Sequence, residues 1–136
     1  MDVAMTEIFT LHAETKALLA EFATHKDYED KLNLIQVHKA KVTLYFKASC
    51  ALHAFLHNQS ANNEQLKTTL RRFALNLNSD AKKIIGFYLT YGHGCEYKQH
   101  LKFQIDLAEA HALLKHRLEV EEKHLLPEFK SLQHPQ

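Results

Sequence analysis

Glycine and proline are scarce, at 3 Gly and 2 Pro in 136 residues. A sandwich or barrel needs many tight turns, and turns draw on those residue types, so an all-β fold is excluded. Cysteine is scarce too. Cys50 and Cys95 form no Cys-x-x-Cys, which removes zinc ribbons and dithiol redox motifs, and two free thiols in a reducing cytoplasm are expected. No segment approaches the ~20 apolar residues of a membrane span. A charge excess is missing as well: 17 Lys+Arg against 16 Asp+Glu leave a formal +1. That balance does not suit a protein that coats a polyanion. Lys67, Arg71, Arg72, Lys82 and Lys83 read as solvated helix faces, so no direct nucleic-acid contact is expected. There is no Gly-x-Ser-x-Gly and no Gly-rich phosphate loop, and the Ser, Cys and His residues carry no local nucleophile signature. No enzyme is expected. Asp2, Glu7 and Glu14 stand where a secretory signal would carry basic and then apolar residues, which points to a cytoplasmic protein without a membrane segment.

What is present is a helical period. One domain over residues 1–136 is expected from the length. Ile8, Leu11, Leu18 and Phe22 predict a first helix from about Asp2 to Phe22. Asp27, with Asp30 three residues on, suits the cap of a second helix from Tyr28 to His57, whose face is Leu32, Ile35, Val42, Phe46, Leu52 and Leu56. Residues 58–63 read as a loop, with Ser60 or Asn62 as the next cap. The third helix carries Leu66, Leu70, Phe73, Leu77, Ile84, Tyr88 and Tyr91, with a weak spot at Asn76–Asp80, and stops at Gly92-His93-Gly94. The last runs from about Cys95 to Leu132 through Phe103, Leu107, Ala110, Leu114, Leu118, Leu125 and Phe129, with Pro127 as a kink or restart point. Four long helices with short connections predict an all-α, up-down-up-down four-helix bundle.

Histidine is abundant, with 11 residues. A ferritin-type di-iron centre needs two Glu-x-x-His motifs, and only Glu121 to His124 is present. His53 and His57 lie one turn apart, and the bundle topology brings His12, His53, His57 and His116 toward one end, with Glu121 nearby. These five residues form an alternative metal set, with iron as the ion. Solvated or hydrogen-bonded histidines are the simpler reading, on which no cofactor is expected. The last helix holds the most informative departure. Extending its apolar stripe from Leu114 by helical steps reaches Arg117 and Glu121 before Leu125. A paired Arg and Glu at core positions suggests a polar floor between helices, suited to a partner or ligand.

Two resemblances add to this. Glu121-Glu122-Lys123-His124-Leu125-Leu126-Pro127 resembles the end of a bacterial hemerythrin domain, although Arg117 stands where that pattern carries a histidine. More extensively, Leu101-Lys102-Phe103-Gln104, Leu107, Leu114 and Arg117-Leu118-Glu119-Val120-Glu121-Glu122-Lys123 resemble the final helix of the regulator of sigma D family (Rsd/AlgQ). The Phe87-Tyr88 pair resembles the aromatic helix before it, so the likeness covers about residues 73–126. In the earlier helix, Phe55 takes the place of a family tyrosine. The resemblance implies an anti-sigma factor that binds the C-terminal region of the housekeeping sigma factor of bacterial RNA polymerase. On that reading Phe55, His57, Arg117, Glu121 and Glu122 contact the partner. An exposed bundle stripe can equally make a homodimer.

Overall fold

Apolar side chains recur every three or four residues along four stretches of the chain, and each stretch is helical. The computed structural model describes residues 7–25 and 27–133. Helix α1 spans Ile8–Thr24, α2 Tyr28–Gln59, α3 Glu64–Tyr91 and α4 His100–Val120. A 3-10 turn, Tyr97–Gln99, leads into α4; a π-helical turn, Glu121–Leu125, leads out of it into α5, Leu126–Gln133. Among the described residues there is no strand. Helix α1 packs on α2, α2 on α3 and α3 on α4, and α4 closes the ring against α1. This is the all-α four-helix bundle that the short connections require. Among the described residues no helix is long and apolar enough to cross a membrane.

The buried face of each helix is the one its periodicity marks. Ile8, Leu18, Ile35, Val42, Leu52, Leu56, Ile84, Phe103 and Leu114 are all sealed from solvent. Aromatic clusters close the two ends. At one end Tyr28 stacks on His100 and meets Phe103 edge-on, while Phe103 also meets Tyr91 edge-on at 5.0 Å. At the other end Phe129 of α5 is fully buried, stacked on Phe9 of α1 at 5.7 Å and edge-on to Phe55 of α2 at 5.5 Å.

Several local expectations need correction. The start of the first helix at Asp2 lies outside the described residues, and α1 ends at Thr24 rather than Phe22. Asp27 holds the N-cap position of α2 but makes no side-chain cap bond; Asp30 faces His25 instead, at 3.7 Å. The cap of α3 is Asn63, whose Oδ1 accepts from the Leu66 N–H at 3.0 Å. Ser60 closes α2 instead, its Oγ donating to the His57 carbonyl. Helix α3 runs unbroken through Asn76–Asp80, held to the bundle on both sides by Leu70 and Ile84. Helix α4 begins at His100, not Cys95: Gly94 turns the chain with a left-handed φ of 101°, and the 3-10 turn Tyr97–Gln99 precedes the first α-helical residue.

Pro127 accounts for the break near the end. It has no N–H to bond the Lys123 carbonyl, and its ring crowds that oxygen. The chain answers with a widened turn, in which the Leu126 N–H bonds the Glu121 carbonyl five residues back. Steps of four in a regular α-helix rotate a face by about 40° each. The wider turn absorbs much of that drift, and Arg117, Glu121, Leu125 and Phe129 all stay inside.

Leu52→Ala tests the shared core. It should cost about 2–5 kcal/mol in urea unfolding, since the removed atoms leave a cavity among helices that cannot collapse onto it.

Candidate functional site

Arg117 and Glu121 sit on the core face of α4 and its π turn, 7% and 1% exposed. Two ions there are tolerable only if other groups take the place of water. Helix α2 supplies them. Ser49 lies on its buried stripe between Val42 and Leu52, and Tyr45 one turn earlier. Both hydroxyls donate to the Glu121 carboxylate, one to each oxygen. Arg117 Nη2 donates to Ser49 Oγ at 2.6 Å. The guanidinium carbon lies 5.3 Å from the centre of the Phe46 ring, and Nε stands 3.9 Å from Glu121 Oε2. Arg117 Nε has no hydrogen-bond partner. The hub therefore links α2 to α4 through one cation, one anion and two hydroxyls.

Neighbouring groups respond to it. Burial, and then the Glu121 charge, push the Tyr45 phenol well above its ordinary range. Burial, followed by the Arg117 charge, lowers His53 to about 4, so its ring is neutral at pH 7. His12 Nε2 donates to the Leu118 carbonyl at 3.0 Å, tying α1 to the last turn of α4.

The expected site residues fall in different places. His53, His116, Arg117 and Glu121 border one small cleft of about 50 Å³ with Asn76 and Asp80 of α3. That is room for a few water-sized groups. Arg117 and Glu121 do floor a polar cleft, but too small a one to admit a helix. Of the alternative metal set, His12 and His57 do not line the cleft; His12 is engaged with Leu118, and His57 is exposed. Among the described residues no group of three or more His, Cys, Asp or Glu is arranged to hold a metal ion. Of the expected partner contacts, Phe55 is half-buried under Phe129, and Glu122 is exposed with its carboxylate 3.1 Å from Lys16 Nζ.

The larger concavity lies elsewhere, between α1 and α4. It has a volume of about 710 Å³. Its cause is legible in side-chain size: Ala20 and Ala23 of α1 face Ala108 and Ala112 of α4, and methyl groups cannot fill the seam. Leu19, Phe22, Leu107 and Leu118 make the apolar walls, with Lys16, Lys31, Lys115, Glu119 and Glu122 on the rim. His111 reaches it from below. Its Nε2 shares a hydrogen bond with the Tyr88 hydroxyl at 2.8 Å, its ring lies edge-on to Phe22, and burial lowers it to about 4.

No family model, curated protein or solved structure matches the chain. The residues themselves carry the functional reading. Sequence reasoning passed over Tyr45, Ser49, His111 and the groove. A signal for the first two existed, since a serine at a core position one turn after a tyrosine is what a buried carboxylate on a facing helix needs. Nothing local marks His111, which is placed by packing against Phe22 and Tyr88.

Two outcomes follow from this chemistry. His53 and His111 are neutral in the fold but titrate near 6.5 when unfolded. Stability is therefore full above pH 6.5 and falls as pH drops from 6.5 toward 4, by on the order of 3 kcal/mol for each histidine. Urea midpoints across pH 4–8 should show the fall, and His111→Phe should remove about half of it, leaving the His53 part. Arg117→Met should cost about 3–5 kcal/mol by leaving Glu121 buried and unpaired. Adding Glu121→Gln, whose amide oxygen accepts from one hydroxyl while its NH2 donates to the other, should recover much of that loss in the same assay.

Proposed function

We propose that this chain is a non-catalytic docking protein that seats an amphipathic helix in the α1/α4 groove, and that the helix belongs to the C-terminal region of a housekeeping sigma factor. The carrying observation is a coincidence of place. Leu118, Glu119 and Glu122, part of the stretch that resembles the regulator of sigma D family, line the large apolar groove between α1 and α4. A groove of this length and composition accepts side chains at i, i+3, i+4 and i+7 of a partner helix. Lysines and glutamates on the rim would set its orientation. Occupying the sigma surface that reads the promoter −35 element would lower transcription by exclusion, with no bond made or broken.

On this reading Arg117 and Glu121 act by position. They fasten α4 to α2, and so hold one wall of the groove still while the partner enters. Glu122 is the one expected contact that faces the groove directly.

The test is a calorimetric titration with the C-terminal domain of the host's housekeeping sigma factor. Saturable 1:1 binding near micromolar or tighter is expected. Ala23→Glu places a charge on the groove floor at an exposed position, and should weaken binding by about tenfold or more with unchanged circular dichroism. Absence of heat and of co-elution would overturn the sigma partner.

A further inference from the structure

The α1/α4 groove is bridged by polar contacts at both ends, and its two ends differ in charge. At one end Lys16 of α1 reaches across the seam to Glu122, with Nζ 3.1 Å from each carboxylate oxygen. At the other end, where the chain turns from α1 into α2, Lys31 Nζ donates to Gln104 Oε1 of α4 at 3.4 Å. Gln104 and Leu118 mark the α4 wall between these bridges, fourteen residues or about 21 Å apart. The groove is therefore a trough of bounded length. Its volume of about 710 Å³ falls within the range of small-molecule sites, about 300–1,000 Å³.

The floor of the trough is apolar and uncharged. Ala20 and Ala23 face Ala108 and Ala112 across it. His111 beneath them is neutral at pH 7, because burial lowers it to about 4, and its Nε2 is engaged by the Tyr88 hydroxyl. The rim is charged unevenly. At the Glu122 end two lysines, Lys16 and Lys115, are matched by two glutamates, Glu119 and Glu122. At the Gln104 end Lys31 lines the trough with no carboxylate beside it in the lining, and among the described residues it forms no ion pair. The Gln104 amide takes one of its N–H groups but leaves its charge uncompensated. An uncharged trough with a single unmatched cation at one end is complementary to an unbranched apolar chain that ends in one anion.

We propose that this trough binds one free fatty acid, its carboxylate accepting from Lys31 Nζ at the Gln104 end and its hydrocarbon chain lying along the alanine seam toward Leu118. The orientation follows from charge, since a carboxylate at the opposite end would meet Glu119 and Glu122 as well as the lysines. The chain fills the space that four methyl groups leave between the helices. This trough is the one proposed for the partner helix, so acid and helix exclude each other. Binding of the acid does not depend on that partner.

Calorimetric titration of the purified full chain with dodecanoate, kept below its micelle concentration, tests the proposal. Saturable 1:1 binding with a dissociation constant on the order of micromolar is expected. Lys31→Glu should weaken it by about tenfold or more, while Lys31→Arg should keep it within about threefold. Ala112→Phe fills the seam from an exposed position, so it should abolish saturable binding with an unchanged helical spectrum. Leu101→Ser, on the exposed face of α4 outside the trough, should leave the affinity unchanged. No saturable heat, an affinity indifferent to Ala112→Phe, or one indifferent to Lys31→Glu would each overturn the fatty-acid site. Only the chain and the acid are present, so failure here leaves the sigma partner standing, and failure of the sigma titration leaves the acid site standing.

Discussion

The constraint on which the rest depends is the burial of one ion pair. A guanidinium and a carboxylate inside a bundle lose far more hydration than their mutual attraction at 3.9 Å returns. They are held there by groups that substitute for water: the hydroxyls of Tyr45 and Ser49 on the carboxylate, Ser49 and the Phe46 ring on the guanidinium. That requirement fixes the rotation of α2 against α4 more tightly than leucine packing would, since apolar contacts tolerate sliding and hydrogen bonds do not. His12 adds a third point by bonding the Leu118 carbonyl, so α1 is registered against the same turn.

The widened turn after Val120 belongs to the same solution. A proline six residues beyond Glu121 cannot continue a regular helix without crowding the carbonyl four residues before it. Taking up that conflict in a π turn keeps the Glu121 carboxylate on α2 and still delivers Leu125 and Phe129 to the core. A rigid α2–α4 wall and a methyl-lined seam between α1 and α4 then produce the groove together. The α4 side is anchored by polar contacts, and two alanines on each side leave the seam open. Burial at Arg117 and exposure at Leu101 and Ile105 give α4 one face that organises the bundle and one that lies open to solvent.

Much of the bundle was readable without coordinates. Ile35, Val42, Leu52, Leu107, Ala110 and Leu114 recur at helical spacing, and burial follows that spacing. Arg117 and Glu121 were conspicuous because they interrupt such a stripe. Their partners were less so, because a lone Tyr or Ser on a helix has many ordinary roles, and the meaning of Tyr45 and Ser49 depends on which residues lie across from them. The cap of α3 was misplaced by one residue for a related reason. Ser60, Asn62 and Asn63 can all accept an N–H, and the path of the loop chose Asn63, leaving Ser60 to finish α2.

The amino-acid sequence by itself determined that the chain is helical, where the helices lie to within a few residues, and which face of each turns inward. Those properties depend on interactions between residues three or four apart, and the sequence displays such spacings directly. Tertiary structure alone decided that Arg117 and Glu121 join Tyr45 and Ser49 of α2 in one buried hub. It also decided that a large concavity lies between α1 and α4, and that His53, buried, and His111, half-buried, are neutral. Each of those outcomes depends on the side chains that a residue meets across a gap of tens to a hundred positions, and on how much water those neighbours exclude. Helical periodicity carries no record of either.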